Sequence, residues 1–208
     1  MAYADLATAV RQFAGGLRGL GLARSERVAI YLDKRFETVV ASFGAPAAGG
    51  VFVPVNPLLK PEQVAFILQD CNVRVLVTSP ERLALLPQAL SECPDLRHVV
   101  VTGTATTTVA ESMAFPARLT VTSWPDLLGA NAQAGHRVID TDMAAILYTS
   151  GSTGKPKGVV LSHRNMVAGA KSVASYLRNN PDDTLLAALP LSFDAGFSQL
   201  TTAFHAGA

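Results

Sequence analysis

Short apolar runs rich in β-branched residues recur along the chain, and the intervals between them are long enough for helices. The runs cover residues 28–32, 51–55, 73–78, 98–102, 144–149 and 185–189. Most are continuously apolar rather than alternating, which is typical of strands that helices cover on both faces. We therefore predict six strands of one mostly parallel sheet.

The intervening segments have the spacing and start signals of helices. We predict helices over residues 3–20, 36–48, 61–70, 80–92, 163–177 and 194–206. Pro61 suits a first helical position, and Ser79 and Ser162 suit N-caps. Alternating strands and helices imply right-handed crossover connections. The predicted fold class is α/β, a doubly wound and mostly parallel sheet flanked by helices.

Two segments depart from this alternation. Residues 103–140 are rich in Thr, Ala and Gly, and we interpret them as a variable surface excursion with a short helix over 124–128. Residues 38–59 carry no charge, and their length would suit a membrane-spanning helix. Repeated Gly and Pro residues interrupt that stretch, so we predict a buried helix followed by a buried strand, with no membrane span.

Composition and charge narrow the class of protein. The 208 residues are 49% hydrophobic and 16% charged, which is typical of a globular protein. The net charge of +1 gives no reason to expect a nucleic acid as a partner. Cys71 and Cys93 lack metal-ligand spacing and suit the core of a reduced protein, so we predict a cytoplasmic location.

The segment with the clearest chemistry reads ILYTSGSTGKPKGVVLSHRN, over residues 146–165. A strand leads into glycines that let backbone N–H groups approach an anion, with hydroxyls and two lysines that can bind phosphate oxygens. It is not a Walker A loop, because Gly151 stands only three residues before Gly154 and Pro156 follows Lys155. By composition alone, a flexible surface loop is an equal alternative.

The run TSGSTGKPKG, over residues 149–158, resembles the signature loop of adenylate-forming enzymes. These are the acyl-CoA ligases, the luciferases and the adenylation domains of peptide synthetases. The resemblance extends over nearly the whole chain, including residues 27–59. The segment PLSFDAGFSQLTTAF is most similar to bacterial acyl-CoA ligases associated with exosortase systems. We therefore interpret residues 1–208 as a partial N-terminal AMP-binding domain of the acyl-CoA synthetase-like fold.

This resemblance implies a two-step reaction. A carboxylate attacks the α-phosphate of ATP, and the thiol of coenzyme A then displaces AMP, with Mg²⁺ as the metal cofactor. The expected partners are thus a carboxylic acid, ATP and coenzyme A. The residues that the resemblance assigns to the phosphates and the departing pyrophosphate are Thr149, Ser150, Gly151, Ser152, Thr153, Gly154, Lys155 and Lys157.

A second matching segment, LPLSFDAGF, carries two candidates for the substrate pocket. The resemblance places Phe193 beside the acyl pocket, and packing in the core is the alternative. Amino-acid-activating relatives use an Asp at the position of Asp194 to bind the substrate ammonium, which would make an amino acid the substrate. The alternative for Asp194 is an N-cap of the following helix. His163 is a candidate general base or a structural residue of the helix start.

The later motifs of the family do not occur in these 208 residues. They carry the adenine contacts, the Mg²⁺-binding Glu, the ribose-binding Asp and the catalytic lysine of a C-terminal lid domain. We therefore assign no catalytic residue or metal ligand, and we expect the chain to be inactive by itself. The alternative is a non-catalytic nucleotide-binding or interaction module of the same fold. A sheet edge left at residues 185–189 would favour self-association.

Overall fold

The computed structural model describes residues 1–103, 115–130, 133–149 and 156–208. Its strands form one seven-stranded sheet in the order β5-β4-β3-β1-β2-β6-β7. All neighbouring pairs are parallel except β6 and β7, which form an antiparallel hairpin. The predicted fold class is confirmed. The strands are Arg27–Tyr31 (β1), Val51–Pro54 (β2), Val73–Thr78 (β3), His98–Val101 (β4), Thr120–Ser123 (β5), Met143–Thr149 (β6) and Lys157–Ser162 (β7).

Helices cover both faces of this sheet, and each face has its own apolar core. The helices are Tyr3–Gly19 (α1), Phe36–Ala47 (α2), Pro61–Asp70 (α3), Pro80–Leu83 (α4), Pro87–Ser91 (α5), Trp124–Gly129 (α6), His163–Leu177 (α7) and Asp194–Ala206 (α8). Alternate residues of β1 enter opposite cores: Val28 and Ile30 pack with α1, α2, α6 and α8, whereas Ala29 and Tyr31 pack with α3, α4 and α5. No helix of the described part of the chain is long and apolar enough to cross a membrane.

The predicted helix starts are mostly confirmed. The side chain of Ser79 accepts a hydrogen bond from the backbone N–H of Arg82 at 3.4 Å. Ser162 Oγ accepts from the N–H of Asn165 at 3.1 Å, and Asn165 Oδ1 accepts from the N–H of Ser162 at 3.0 Å. This reciprocal pair is a capping box that starts α7 directly after β7.

Four elements differ from the predictions. Residues 185–189 form no strand, and Leu186 is 84% exposed. The edge next to β6 is occupied instead by β7, which pairs through a local hairpin that the sequence analysis missed along with β5. The predicted helix 80–92 is two short helices, because Pro87 has no N–H to donate to a carbonyl oxygen of the preceding turn. The segment 103–140 includes β5 and the predicted short helix, α6.

A close approach at the start of α8 requires glycine at position 196. A Cβ built on Gly196 would lie much closer to the Pro190 carbonyl oxygen than the van der Waals contact distance allows. We expect Gly196→Ala to lower the free energy of unfolding by about 1–3 kcal/mol, because the backbone of residues 189–190 would have to move. Urea unfolding followed by circular dichroism measures this loss.

Gly169 provides the matched control, because it also lies in a helix and a Cβ built on it would have no neighbour within 4 Å. Gly169→Ala should raise the free energy of unfolding by about 0.5–1 kcal/mol through the lower backbone entropy of the unfolded chain. Equal effects of the two substitutions would contradict a steric role for Gly196.

The capping box of α7 gives a second prediction. Ser162→Ala removes the side-chain acceptor for the N–H of Asn165 and should lower the free energy of unfolding by about 1 kcal/mol. Ser172→Ala, on an exposed position inside the same helix, should change it by a few tenths at most in the stabilising direction. Thermal or urea unfolding that ranks the two variants in the opposite order would refute the cap.

Candidate functional site

The two described ends of the candidate phosphate loop lie at the loop end of the β6–β7 hairpin. Thr149 is the last residue of β6 and is paired with Lys157, the first residue of β7. Thr149 Oγ1 donates to the Lys157 carbonyl oxygen at 3.5 Å, and both residues are exposed. The remaining predicted phosphate ligands, Ser150, Gly151, Ser152, Thr153, Gly154 and Lys155, lie outside the described residues.

Gly158 lies within β7, and its strand position explains its lack of a side chain. It pairs with Tyr148, and a Cβ on Gly158 would lie 2.8 Å from Ile146 Cγ2 and 3.3 Å from Tyr148 Cζ. The tyrosine ring thus crosses the strand in the space that a larger residue would fill. This packing gives a second reason for glycine at position 158, beside the expected approach of its backbone to an anion.

The loop end of the hairpin lies at the edge of the sheet where the parallel strands end. β6 is parallel to β2, and β2 is parallel to β1, so residues after all three strands meet at this carboxyl edge. Successive connections leave β1 and β3 in opposite directions, and such a topological switch is the usual place for a ligand in a doubly wound sheet. The two described ends of the candidate loop, Thr149 and Lys157, therefore lie on the edge where this class of fold usually binds ligands.

A cavity of about 180 Å³ lies at the same edge, between the ends of β1 and β2 and the segment 188–192. Lys34, directly after β1, donates from Nζ to the carbonyl oxygen of Ala187 on the covering segment. Ser192 is among the residues that line this cavity, and its buried hydroxyl has no hydrogen-bond partner among the described residues. Neither polar residue is among the site residues predicted from the sequence, although the rule that ligands bind beyond strand ends indicates Lys34.

Phe193 and Asp194 follow this covering segment, and the structure contradicts the structural alternative given for each. Phe193 is 45% exposed, so core packing is wrong. Phe193 is also the N-cap residue of α8, so the predicted cap role of Asp194 is wrong. Asp194 lies one position later, in the first helical turn, where the helix dipole favours its negative charge. Its carboxylate is exposed and makes no hydrogen bond within the described ranges.

His163 lies at the opposite edge of the sheet. It begins α7 after Ser162, which pairs with Met143 at the start of β6. The length of β6, at about 3.3 Å per residue, separates His163 from Thr149 by about 20 Å. His163 Nε2 is buried and without a partner in the described part of the chain, beside an apolar cavity of about 360 Å³ between α2, α7 and α8. This placement rules out direct proton transfer at the candidate phosphate site.

Metal ligands are not gathered by the part of the chain that the structure describes. No group of three or more His, Cys, Asp or Glu residues lies close enough together there to hold an ion. Cys71 and Cys93 are buried free thiols, and burial raises the pKa of each to about 11. Both cysteines therefore stay protonated at neutral pH and serve as small core residues, as their spacing predicted.

Comparison with known proteins gives consistent results over the whole chain. The family model described as AMP-binding enzyme matches residues 1–208. Long chain acyl-CoA synthetase 7, peroxisomal, of Arabidopsis thaliana is 31% identical over 92% of this chain. Tyrocidine synthase 3 of Brevibacillus parabrevis is 30% identical over 100% of it. The crystal structure of the anthranilate CoA ligase AuaEII in complex with anthranoyl-AMP superposes on the whole chain with a TM-score of 0.87 at 27% identity.

The chain spans only part of these proteins. It covers 28% of the plant synthetase, 3% of the tyrocidine synthase and 39% of the anthranilate CoA ligase chain. The aligned part contains the seven-stranded sheet and the hairpin that bears TSGSTGKPK. On its sheet topology, its loop sequence and the match over residues 1–208, the chain belongs to the AMP-binding enzyme family, together with the acyl-CoA ligases.

Proposed function

We propose that this chain is the N-terminal part of an AMP-forming ligase that activates a carboxylic acid with ATP and transfers the acyl group to coenzyme A. The observation that carries the proposal is the β6–β7 hairpin, in which Thr149 and Lys157 are paired at the loop end, at the carboxyl edge of the sheet. The run between them supplies the hydroxyls, glycines and second lysine that a polyphosphate requires.

The chemical task of such a loop is to manage charge. A carboxylate must attack the α-phosphate of a polyanion, and pyrophosphate must then leave with additional negative charge. Lys155 and Lys157, with the neighbouring hydroxyls and N–H groups, would bind the β- and γ-phosphates and stabilise the departing pyrophosphate. Fixing the triphosphate in this way also orients the α-phosphate toward the acid.

Mg²⁺ is expected as a cofactor because it binds phosphate oxygens in reactions of this class. The described residues do not fit a dedicated magnesium site, since they gather no cluster of carboxylates. We therefore assign no Mg²⁺ ligand in this chain and no reaction step to the ion.

The substrate acid is open between two classes. An acyl acid would place its chain beside the exposed ring of Phe193. An amino acid would place its ammonium beside Asp194, whose free and exposed carboxylate favours this second candidate over a purely structural role. Asp194→Asn should abolish activation of an amino acid and leave activation of a fatty or aromatic acid unchanged, because only the ammonium needs the negative charge.

Two further predictions also belong to the proposal: a cytoplasmic location, and membership of the exosortase-associated subfamily on the basis of residues 190–204.

The first test separates phosphate binding from the complete reaction. We expect the 208 residues to bind pyrophosphate, because all the proposed phosphate ligands lie within them. Lys155→Ala and Lys157→Ala should each weaken this binding about tenfold, the typical effect of one charge-assisted hydrogen bond. Isothermal titration calorimetry measures the dissociation constants. Lys171→Ala, an exposed position of α7, should bind like the unsubstituted chain.

ATP–pyrophosphate exchange with a panel of fatty, aromatic and amino acids then tests catalysis. We expect exchange from a longer protein in which this chain is joined to the remaining segments found in its relatives. We expect none from the 208 residues alone. The acid that stimulates exchange identifies the substrate class. Pyrophosphate binding without exchange in the longer protein would favour the alternative of a non-catalytic nucleotide-binding module. Exchange by the 208 residues would show that the chain is catalytically sufficient.

Self-association of the isolated chain is a separate prediction, and the structure changes the surface that would mediate it. The edge strand is β7 rather than residues 185–189. Val159 and Val160 of this strand are exposed, one on each face of the sheet, and Val167, Tyr176 and Leu177 are exposed on the adjoining helix α7. Unpaired edge groups beside apolar side chains favour association between copies.

Light scattering at moderate concentration should therefore detect species larger than a monomer. Val160→Lys should reduce their proportion, because a charge on an edge strand opposes pairing. Leu58→Lys, which also replaces an exposed apolar side chain but lies outside this surface, should have no effect. A monodisperse monomer of the unsubstituted chain would contradict the prediction.

A further inference from the structure

A polar contact joins the loop end of the hairpin to the neighbouring helix layer. The hydroxyl of Tyr148 donates to Asp70 Oδ2 at 2.5 Å, across 78 positions of sequence. Tyr148 directly precedes Thr149, and its ring lies over Gly158, the residue after Lys157. One side chain therefore touches both strands beside the two described ends of the candidate phosphate loop.

The carboxylate that receives this bond lies at an electrostatically unfavourable place. Asp70 is the last residue of α3, where the helix dipole opposes a negative charge. The Tyr148 hydroxyl is the one hydrogen-bond donor to the Asp70 side chain in the described part of the chain. Burial and the nearby Asp70 raise the pKa of Tyr148, so the hydroxyl keeps its proton and remains a donor at neutral pH.

The end of α3 is itself fixed to the sheet by Arg27 of β1. Its guanidinium donates to the carbonyl oxygen of Cys71, and to that of Asn72 at 3.0 Å. Cationic groups at this position satisfy carbonyls that a helix end leaves without partners. Asp70 is thus presented from a helix end that is anchored to the central strand.

The hairpin has few other contacts with the sheet near its loop end. The paired register of β6 with β2 consists of Phe52 and Ala145, four residues before Thr149. Beyond Ala145, β6 pairs with β7 alone, and β7 is the edge strand. The side chains of Ile146 and Tyr148 face the α3 side of the sheet and join its core there. A contact from Tyr148 to α3 would therefore restrict the motion of a hairpin end that lacks a second strand partner.

We propose that Tyr148 and Asp70 are positioning residues that hold Thr149 and Lys157 in their phosphate-binding arrangement. This inference rests on the proposed function, since it assigns a role at the same site. Neither residue needs to touch the nucleotide. The hydroxyl–carboxylate bond lowers the cost of ordering the hairpin end, and binding that finds its ligands already placed is tighter.

The test compares three substitutions in the 208-residue chain. Tyr148→Phe keeps the ring over Gly158 and removes the donor, and Asp70→Ala removes the acceptor. We expect each to weaken pyrophosphate binding about three- to tenfold in calorimetry, at a temperature where all variants are fully folded. Asp70→Asn keeps an acceptor oxygen and should recover most of the affinity. Tyr176→Phe and Asp182→Ala, both at exposed positions, are the matched controls.

Amide hydrogen exchange supplies a readout that does not depend on the ligand. Tyr148→Phe should speed amide exchange at the loop end of β6–β7 by about three- to tenfold and leave the exchange rates of β1 and β3 unchanged. Unchanged pyrophosphate affinity, or equal exchange rates at the hairpin end, would overturn the inference. If the unsubstituted chain binds no pyrophosphate, the proposed function fails first and the positioning role fails with it. The exchange rates would then still show whether the contact orders the hairpin.

Discussion

The parallel pairing of β1 with β2 on one side and β3 on the other is the interaction on which the remaining structure depends. Its hydrogen bonds align three strand ends, and the alternation of side chains along β1 divides the apolar residues between two cores. Because β6 joins β2 in the same direction, the segment after β6 reaches the same edge. A reversal of the β1–β2 or the β2–β6 pairing would carry Thr149 to the opposite ends of the strands.

The hairpin that follows uses an antiparallel pairing for a different purpose. It returns the chain after the candidate phosphate loop, so that Thr149 and Lys157 are brought opposite each other by the ladder itself. The capping box at Ser162 then turns the chain directly into α7. The ladder thus fixes the two described ends of the candidate loop, and Tyr148, which precedes Thr149, contacts the opposite helix layer.

The carboxyl edge also gathers groups from distant parts of the sequence. Lys34 follows β1, Ser192 lies in the segment before α8, and both line the small cavity at the ends of β1 and β2. The close approach of Gly196 to Pro190 fixes this covering segment against the helix. The edge therefore carries both the described ends of the candidate phosphate loop and a small cavity with polar residues in its lining, and concave sites of this kind are where small ligands usually bind.

The sequence by itself determined the α/β class, five of the strands, the caps at Ser79 and Ser162, and the family through TSGSTGKPKG. These features depend on local patterns of apolar residues, on capping chemistry and on one specific run of residues. It did not reveal β5 or β7, the break at Leu86 or the exposure of residues 185–189. Whether a short apolar run becomes a strand depends on a neighbour that offers free hydrogen-bonding groups. Only the tertiary structure supplied that neighbour to β7 and withheld it from residues 185–189, and only it joined Tyr148 to Asp70 across the sheet.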